Sequence, residues 1–168
     1  MFEPKMNITI KLKILTVALL LTAFAKPLYA QKFEKAEFYT VMDSGDLAAI
    51  ENQISIVEAS STPNKEGYEG ALLMRKAGKL TVPAQKLKYF KRGRIQFETA
   101  LQADKDNTEY HFLRLAIEEH APKIVKYHSD IETDKAIIIK NFKNLSPAVQ
   151  HAITDYAKKS KVLKPEDF

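Results

Sequence analysis

Apolar residues recur at helical spacing along nearly the whole chain beyond residue 31, and this periodicity constrains the fold more than any other feature. In residues 47–59, for example, Leu47, Ile50, Ile54 and Val57 follow one another at intervals of three, four and three. That spacing places the four side chains on one face of a helix, which must be buried against a neighbouring helix. The pattern therefore predicts an all-α protein.

Start signals divide the chain into about seven helices. Pro83 suits a first helical turn, and the helix that begins there is predicted to run to about Ala103. Asp106 and Glu109 have capping-box spacing in front of the next helix. Similar signals precede the last two helices, at Ser129 with Glu132 and at Ser146 with Pro147.

Residues 136–142, with the sequence AIIIKNF, are the one segment in which a strand competes with a helix. The consecutive isoleucines favour a strand. However, the chain offers no second strand to pair with this segment, and a single strand is not stable alone. We therefore predict a helix here and no sheet.

The first 30 residues have the layout of a secretory signal peptide. An apolar run at residues 14–25 is followed by the small residue Ala30, and basic residues precede the run: Lys5, Lys11 and Lys13. The run is shorter than the roughly 20 residues that a membrane-spanning helix needs. We predict that residues 1–30 are cleaved near Ala30, that no stable membrane insertion follows, and that the mature protein is periplasmic or extracellular.

The mature chain is predicted to form a single helical domain at residues 31–160, with residues 161–168 as a frayed tail. It contains no cysteine. This absence excludes a disulfide framework, a thiolate nucleophile and a cysteine-ligated zinc site. The domain must therefore be stabilised by packing.

Removal of the first 30 residues changes the charge balance. The whole chain has 26 basic and 21 acidic residues, and residues 1–30 hold four and one of them, so 22 and 20 remain and the net charge is +2. A nucleic-acid partner needs a basic field, and the only candidate is residues 86–94, KLKYFKRGR. On a helix this segment predicts a solvated basic face beside an apolar stripe, which is formed by Leu87, Phe90, the aliphatic stem of Arg94 and Phe97. We therefore expect no nucleic-acid partner.

Residues 97–107, FETALQADKDN, combine the aromatic Phe97 with small Ala100 and with Asn107 in the following turn, and small Gly93 comes four residues before Phe97. This combination resembles the joint between two units of a tetratricopeptide repeat, in which a small residue lets a neighbouring helix approach and an aromatic residue fills the adjoining space. The resemblance implies antiparallel hairpins in a right-handed stack. An irregular helical bundle is the alternative. The chain is also similar to small bacterial exported helical proteins of no established activity.

In a tetratricopeptide-like hairpin the first helix lines a groove, and the resemblance places the helix after Asn107 in that position. Its residues Thr108, His111, Leu115 and Glu118 share one face at intervals of three, four and three. We predict that this largely polar stripe binds a peptide. The alternative is a stripe that is solvated or covered by the N-terminal helices.

Catalytic motifs are absent from the sequence. The four histidines form neither H-x-x-x-H nor H-E-x-x-H, and the glycines form no phosphate-binding loop. Residues 118–120, with Tyr127 and His128, are the densest polar segment and are interpreted as a helix end. We expect no cofactor and no metal, and the sequence identifies no catalytic residue.

Two functions remain open. The first is an exported, non-catalytic interaction module that binds a peptide or partner protein in the cell envelope. The alternative is a small envelope hydrolase or ligand carrier whose site is assembled only in the fold, for instance from His111, Arg114 and Glu118. A third possibility is a helper module without a groove that forms a homodimer through an apolar face.

Overall fold

Seven α-helices follow one another along residues 32–168, the part of the chain that the computed structural model describes. No strand occurs within these residues, so the all-α prediction is confirmed, and they belong to one compact unit. The helices are α1 (Lys35–Ser44), α2 (Leu47–Ala59), α3 (Lys65–Lys79), α4 (Pro83–Ala103), α5 (Thr108–Glu118), α6 (Ile131–Asn141) and α7 (Pro147–Ala157). Short 3-10 turns lie at Lys123–Val125, Phe142–Asn144 and Pro165–Asp167. The predicted signal peptide and its cleavage near Ala30 lie outside the described residues.

Helices α3 and α4 form a closely packed hairpin. Most of α3 is buried, including Gly70, whereas α4 buries only every third or fourth residue: Phe90, Gly93, Phe97 and Leu101. The two helices approach closely because glycine has no side chain at Gly70 and Gly93. Helix α4 begins at Pro83 and ends at Ala103, as the start and stop signals predicted.

Helix α5 begins differently from the prediction. The side chain of Asn107, not that of Asp106, caps the helix by accepting a hydrogen bond from the Tyr110 amide at 3.2 Å. Glu109 does not reach back to complete a capping box. Its carboxylate turns into the core and accepts hydrogen bonds from Lys35 Nζ at 2.7 Å, Tyr39 Oη at 2.8 Å and Tyr68 Oη at 2.9 Å.

Helix α6 confirms the helical prediction for the isoleucine-rich segment 136–142 up to Asn141. Ser129 and Glu132 do not form the predicted capping box, because the N-cap residue is Asp130 and its side chain makes no capping hydrogen bond. At the start of α7, Ser146 is the N-cap and Pro147 the first helical residue, but the Ser146 side chain makes no capping bond either.

The C-terminal segment packs onto the domain, so the prediction of a frayed tail at residues 161–168 is wrong. Leu163 is completely buried, and the ring centroids of Phe168 and Phe142 are 4.5 Å apart. Lys135 Nζ of α6 donates to the Val162 carbonyl at 2.9 Å. The apolar residues of the segment are too widely spaced to show helical periodicity, which is why the sequence did not reveal this packing.

None of the helices within residues 32–168 is long and apolar enough to cross a bilayer.

Candidate functional site

The stripe predicted to bind a peptide is buried, and this prediction is therefore wrong. Helix α6 and the residue before it cover the stripe, instead of the N-terminal helices: Asn141 Nδ2 donates to Thr108 Oγ1 at 3.0 Å, and the Asp130 amide donates to a Glu118 carboxylate oxygen at 3.1 Å. The exposed fractions are 7% for Thr108, 5% for His111, 0% for Leu115 and 0% for Glu118. A peptide has no access to this face.

A buried ionic cluster lies between α5 and α6. Asp134 of α6, which is completely buried, accepts hydrogen bonds from the guanidinium of Arg114 on both carboxylate oxygens, at 2.8 Å from Nε and 2.7 Å from Nη2. The same carboxylate lies 2.6 Å from Nδ1 of His111. A bidentate guanidinium with a second donor satisfies a buried carboxylate well, so the cluster fixes the position of α6 on α5.

Further carboxylates surround this cluster. Glu98 of α4 lies 3.5 Å from Arg114 Nη1 and also accepts a hydrogen bond from the Tyr127 hydroxyl, while Asp130 lies 3.6 Å from Arg114 Nη2. Within residues 32–168, one oxygen of Glu118 has no hydrogen-bond partner, and burial raises the pKa of this carboxyl group. Because Arg114 of α5 contacts Glu98 of α4 and Asp134 of α6, it links the three helices.

The fold does bring together His111, Arg114 and Glu118, the residues of the alternative hydrolase or carrier. All three are buried, and the polar atoms of His111 and Arg114 are occupied by protein groups. No group of three or more histidine, cysteine, aspartate or glutamate side chains within residues 32–168 is arranged to hold a metal ion. The arrangement suits helix packing better than chemistry on a substrate.

The polar segment at residues 118–120 anchors the C-terminal segment. Glu119 accepts hydrogen bonds from Tyr156 Oη at 2.7 Å, Ser160 Oγ at 2.6 Å and the Lys161 amide at 2.5 Å. Burial alone would raise the pKa of Glu119, but these hydrogen bonds outweigh it and the pKa is lowered. The segment thus lies at a helix end, where it connects α5 to α7 and the residues beyond.

The predicted structural joint consists of residues that pack α4 against its neighbours. Gly93 lies against Gly70, and completely buried Phe97 has its ring centroid 5.7 Å from that of Tyr110. Ala100 is partly buried against the core, and Asn107 caps α5. These contacts explain the residue types without a repeat, and the tetratricopeptide assignment stays a prediction.

One surface of α4 remains exposed and chemically distinctive. Leu87, Lys91 and Ile95 follow one another at intervals of four and so share one side of the helix. Leu87 is 47% exposed and Ile95 70% exposed, so the prediction that Leu87 belongs to the buried stripe is wrong. Residues 83–88 are all exposed, which shows that the N-terminal part of α4 extends past the core.

The turn Lys123–Val125, which Arg94 of α4 contacts, carries a third exposed aliphatic residue. Arg94 Nη1 donates to the Val125 carbonyl at 3.5 Å, and the guanidinium lies 4.7 Å from the ring centroid of Tyr127. These contacts hold the turn against the middle of α4. Ile124, at the centre of the turn, is 88% exposed.

Positive charge surrounds these aliphatic residues. Residues 83–97 contain five cations and no acidic residue. Arg92 pairs with Glu69 at 2.9 Å, whereas no ion pair within residues 32–168 involves Lys86, Lys88 or Lys91. We call the exposed surface formed by Leu87, Lys88, Lys91, Ile95 and Ile124 the basic–aliphatic face.

A cleft of about 570 Å³ lies at the N-terminal ends of α5 and α7. Its charged lining is balanced, with two lysines and two acidic residues: Lys35, Lys140, Asp106 and Glu109. Lys35 and Glu109 also pair with each other at 2.7 Å. The cleft therefore has no excess of positive or negative charge that would favour one class of ligand.

No family model, curated protein or solved structure matches this chain. The basic–aliphatic face is thus the candidate functional site on the geometry of this chain alone. Its basic residues were visible in the sequence. The exposure of Leu87 was not, because helical periodicity cannot show that a helix extends past its neighbour.

Proposed function

We propose that the protein is an exported, non-catalytic interaction module that binds an acidic segment of a partner protein in the cell envelope. The basic–aliphatic face carries this proposal. There, exposed Leu87 and Ile95 share a helix with lysines that form no ion pair within residues 32–168, and exposed Ile124 lies on the turn that Arg94 contacts. Aliphatic residues grouped with charge of one sign form a surface that is matched by a partner of opposite charge.

The chemistry of the face supports a protein segment with both acidic and apolar residues. Apolar side chains of a partner would cover Leu87 and Ile95, while its carboxylates would pair with Lys88 and Lys91 around them. This arrangement corresponds to a common design of protein interfaces, in which an apolar centre is bordered by polar groups. Residues 31–168 have a net charge of only +2, with 22 basic and 20 acidic residues. The cations of α4 are therefore a local excess of positive charge in an otherwise balanced chain.

The buried cluster supports a non-catalytic function. His111 and Glu118 are 5% and 0% exposed, so a substrate cannot reach them without displacement of α6. The proposal of export rests on the lysines and the apolar run at residues 14–25. N-terminal sequencing of the protein from envelope fractions tests export, and a first residue close to Gln31 is the expected result.

A photocrosslinking experiment tests the site. A photoreactive amino acid replaces Ile95 on the face and, as a control, Thr133, which is exposed on α6. We expect the probe at position 95 to crosslink in intact cells to a protein segment rich in Asp and Glu, and the probe at position 133 to give no such product. Equal products from both positions, or no protein product from position 95, would rule out this face.

Charge reversal then measures the contribution of the lysines. The first double variant carries Lys88→Glu and Lys91→Glu. The control double variant carries Lys143→Glu and Lys161→Glu, which make the same change in charge at exposed positions outside the face. The crosslinked segment is synthesised as a peptide and its affinity is measured. We expect the first variant to bind this peptide at least about tenfold more weakly than the parent, and the affinity of the parent to fall at high salt. Equal affinity of the two variants contradicts the proposal. So does parent binding to anionic phospholipid vesicles without binding to the peptide.

A further inference from the structure

The His111 ring contacts two acceptors at once. Its Nδ1 lies 2.6 Å from Asp134 Oδ1, and its Nε2 lies 2.8 Å from the carbonyl oxygen of Lys105. A carbonyl only accepts hydrogen bonds, and Arg114 donates to both oxygens of the Asp134 carboxylate, so these oxygens act as acceptors too. A neutral imidazole has one N–H, whereas an imidazolium has two. Only the protonated ring can therefore donate both hydrogen bonds.

We propose that His111 is a pH-sensitive clasp, which in its protonated form fastens both α6 and the α4–α5 turn to α5. Deprotonation at alkaline pH removes one of the two N–H donors. Either the bond to Asp134 of α6 or the bond to Lys105 of the turn is then lost. Because His111 is only 5% exposed, water cannot easily replace the missing partner.

The charges around His111 favour the protonated ring. Burial alone lowers the pKa of His111, but the hydrogen bonds to Asp134 and to the Lys105 carbonyl, with the attraction of the Asp134 carboxylate, outweigh it. The nearby Arg114 opposes them, and the net result is a raised pKa. Further carboxylates face the cluster from α4, α5 and the start of α6: Glu98, Glu118 and Asp130.

The direction of the pH effect follows from the raised pKa. The clasp contributes fully below the ordinary histidine pKa of about 6.5, and its contribution is lost as the pH rises through the higher pKa of the folded state. The weakened attachment of α6 is expected to affect the C-terminal segment as well. Lys135 on this helix holds the C-terminal segment through its bond to Val162 at 2.9 Å, so both elements should loosen together.

Nitrogen-15 NMR of the histidine rings tests the protonation state directly. His151 is an internal control, because its Nε2 also lies near an aspartate, 3.2 Å from Asp155, but its side chain is 79% exposed. We expect His111 to keep both N–H groups at pH values above the ordinary histidine pKa of about 6.5. A single N–H on His111 at about pH 6 would overturn the proposal.

Hydrogen exchange measured by mass spectrometry tests the mechanical consequence. Between about pH 6 and about pH 9, exchange in α6 and in residues 161–168 is expected to accelerate beyond the intrinsic pH dependence, relative to α2 in the same molecule. His111→Gln, with a neutral amide, should remove this extra acceleration, and His151→Gln should leave it unchanged. Uniform behaviour of α6 and α2 in the parent protein contradicts the clasp, and this comparison holds even where His111→Gln fails to fold.

Discussion

Gly93 and Gly70 bring the backbones of α4 and α3 into direct contact. A Cβ atom built on Gly93 would lie 2.6 Å from the Gly70 carbonyl oxygen, and one built on Gly70 would lie 2.8 Å from the Gly93 carbonyl oxygen. Neither distance leaves space for a methyl group, and backbone atoms cannot rotate out of the way as a flexible side chain can. The pair therefore sets the spacing of the central hairpin.

Gly93→Ala is expected to destabilise the protein by about 1–2 kcal/mol. Because the added Cβ would meet backbone atoms, overpacking should cost about 2–3 kcal/mol, the upper part of its usual range, and the gain in helix propensity from alanine offsets roughly 1 kcal/mol of this. Gly78→Ala is the control, because a Cβ atom there meets nothing within 4 Å, and it should stabilise α3 by about 0.5–1 kcal/mol. Urea unfolding followed by circular dichroism measures both. Shifts of the same sign in the two variants would show that Gly93 is not a packing constraint.

Phe97 is expected to contribute more to stability than the exposed residues of the same helix. It is completely buried, and Phe97→Ala is expected to cost about 3–5 kcal/mol because a cavity is left between α4 and its neighbours. Ile95→Ala, two positions away and 70% exposed in the parent, should change stability by about 0.5 kcal/mol or less. A Phe97→Ala midpoint close to that of the parent would contradict this packing.

Asp134→Asn tests whether loss of a buried ion pair destabilises the protein more than loss of a surface ion pair. The substitution leaves Arg114 and His111 without the carboxylate that they share, and loss of one partner of a buried pair costs about 3–5 kcal/mol. Asp155→Asn serves as the control, since Asp155 pairs with Lys158 and His151 at the surface and its loss should leave the thermal midpoint nearly unchanged. Similar midpoints for the two variants would show that the Asp134 cluster contributes little.

The sequence predicted local structure well where one residue type decides it. Pro83 at the first turn predicted the start of α4, and the isoleucine-rich segment 136–142 folds as a helix up to Asn141, in a domain whose residues 32–168 contain no strand that could pair with it. Capping was less predictable. Asn107 and Asp106 are both good caps, and the choice between them depends on Glu109, which three donors draw into the core.

Burial of polar residues could not be predicted from the sequence. His111 and Glu118 have the composition of an exposed stripe. The groups that they contact in the interior, the Asp134 carboxylate of α6 and the Asp130 amide just before this helix, lie more than ten residues further along the chain. Periodicity identifies which residues share a face, but it does not identify the element that covers that face. The same limit hid the exposure of Leu87.

The C-terminal segment is expected to contribute to the stability of the whole domain. Leu163 is completely buried, so Leu163→Ala should destabilise the protein by about 2–5 kcal/mol through the cavity that it creates. Lys161→Ala is the matched control, because only its backbone amide is used, as a donor to Glu119, and its side chain is exposed. Thermal unfolding and limited proteolysis measure the effect. Equal midpoints for the two variants, with residues 161–168 cleaved from the folded parent as quickly as from an unfolded chain, would show that this segment frays in solution.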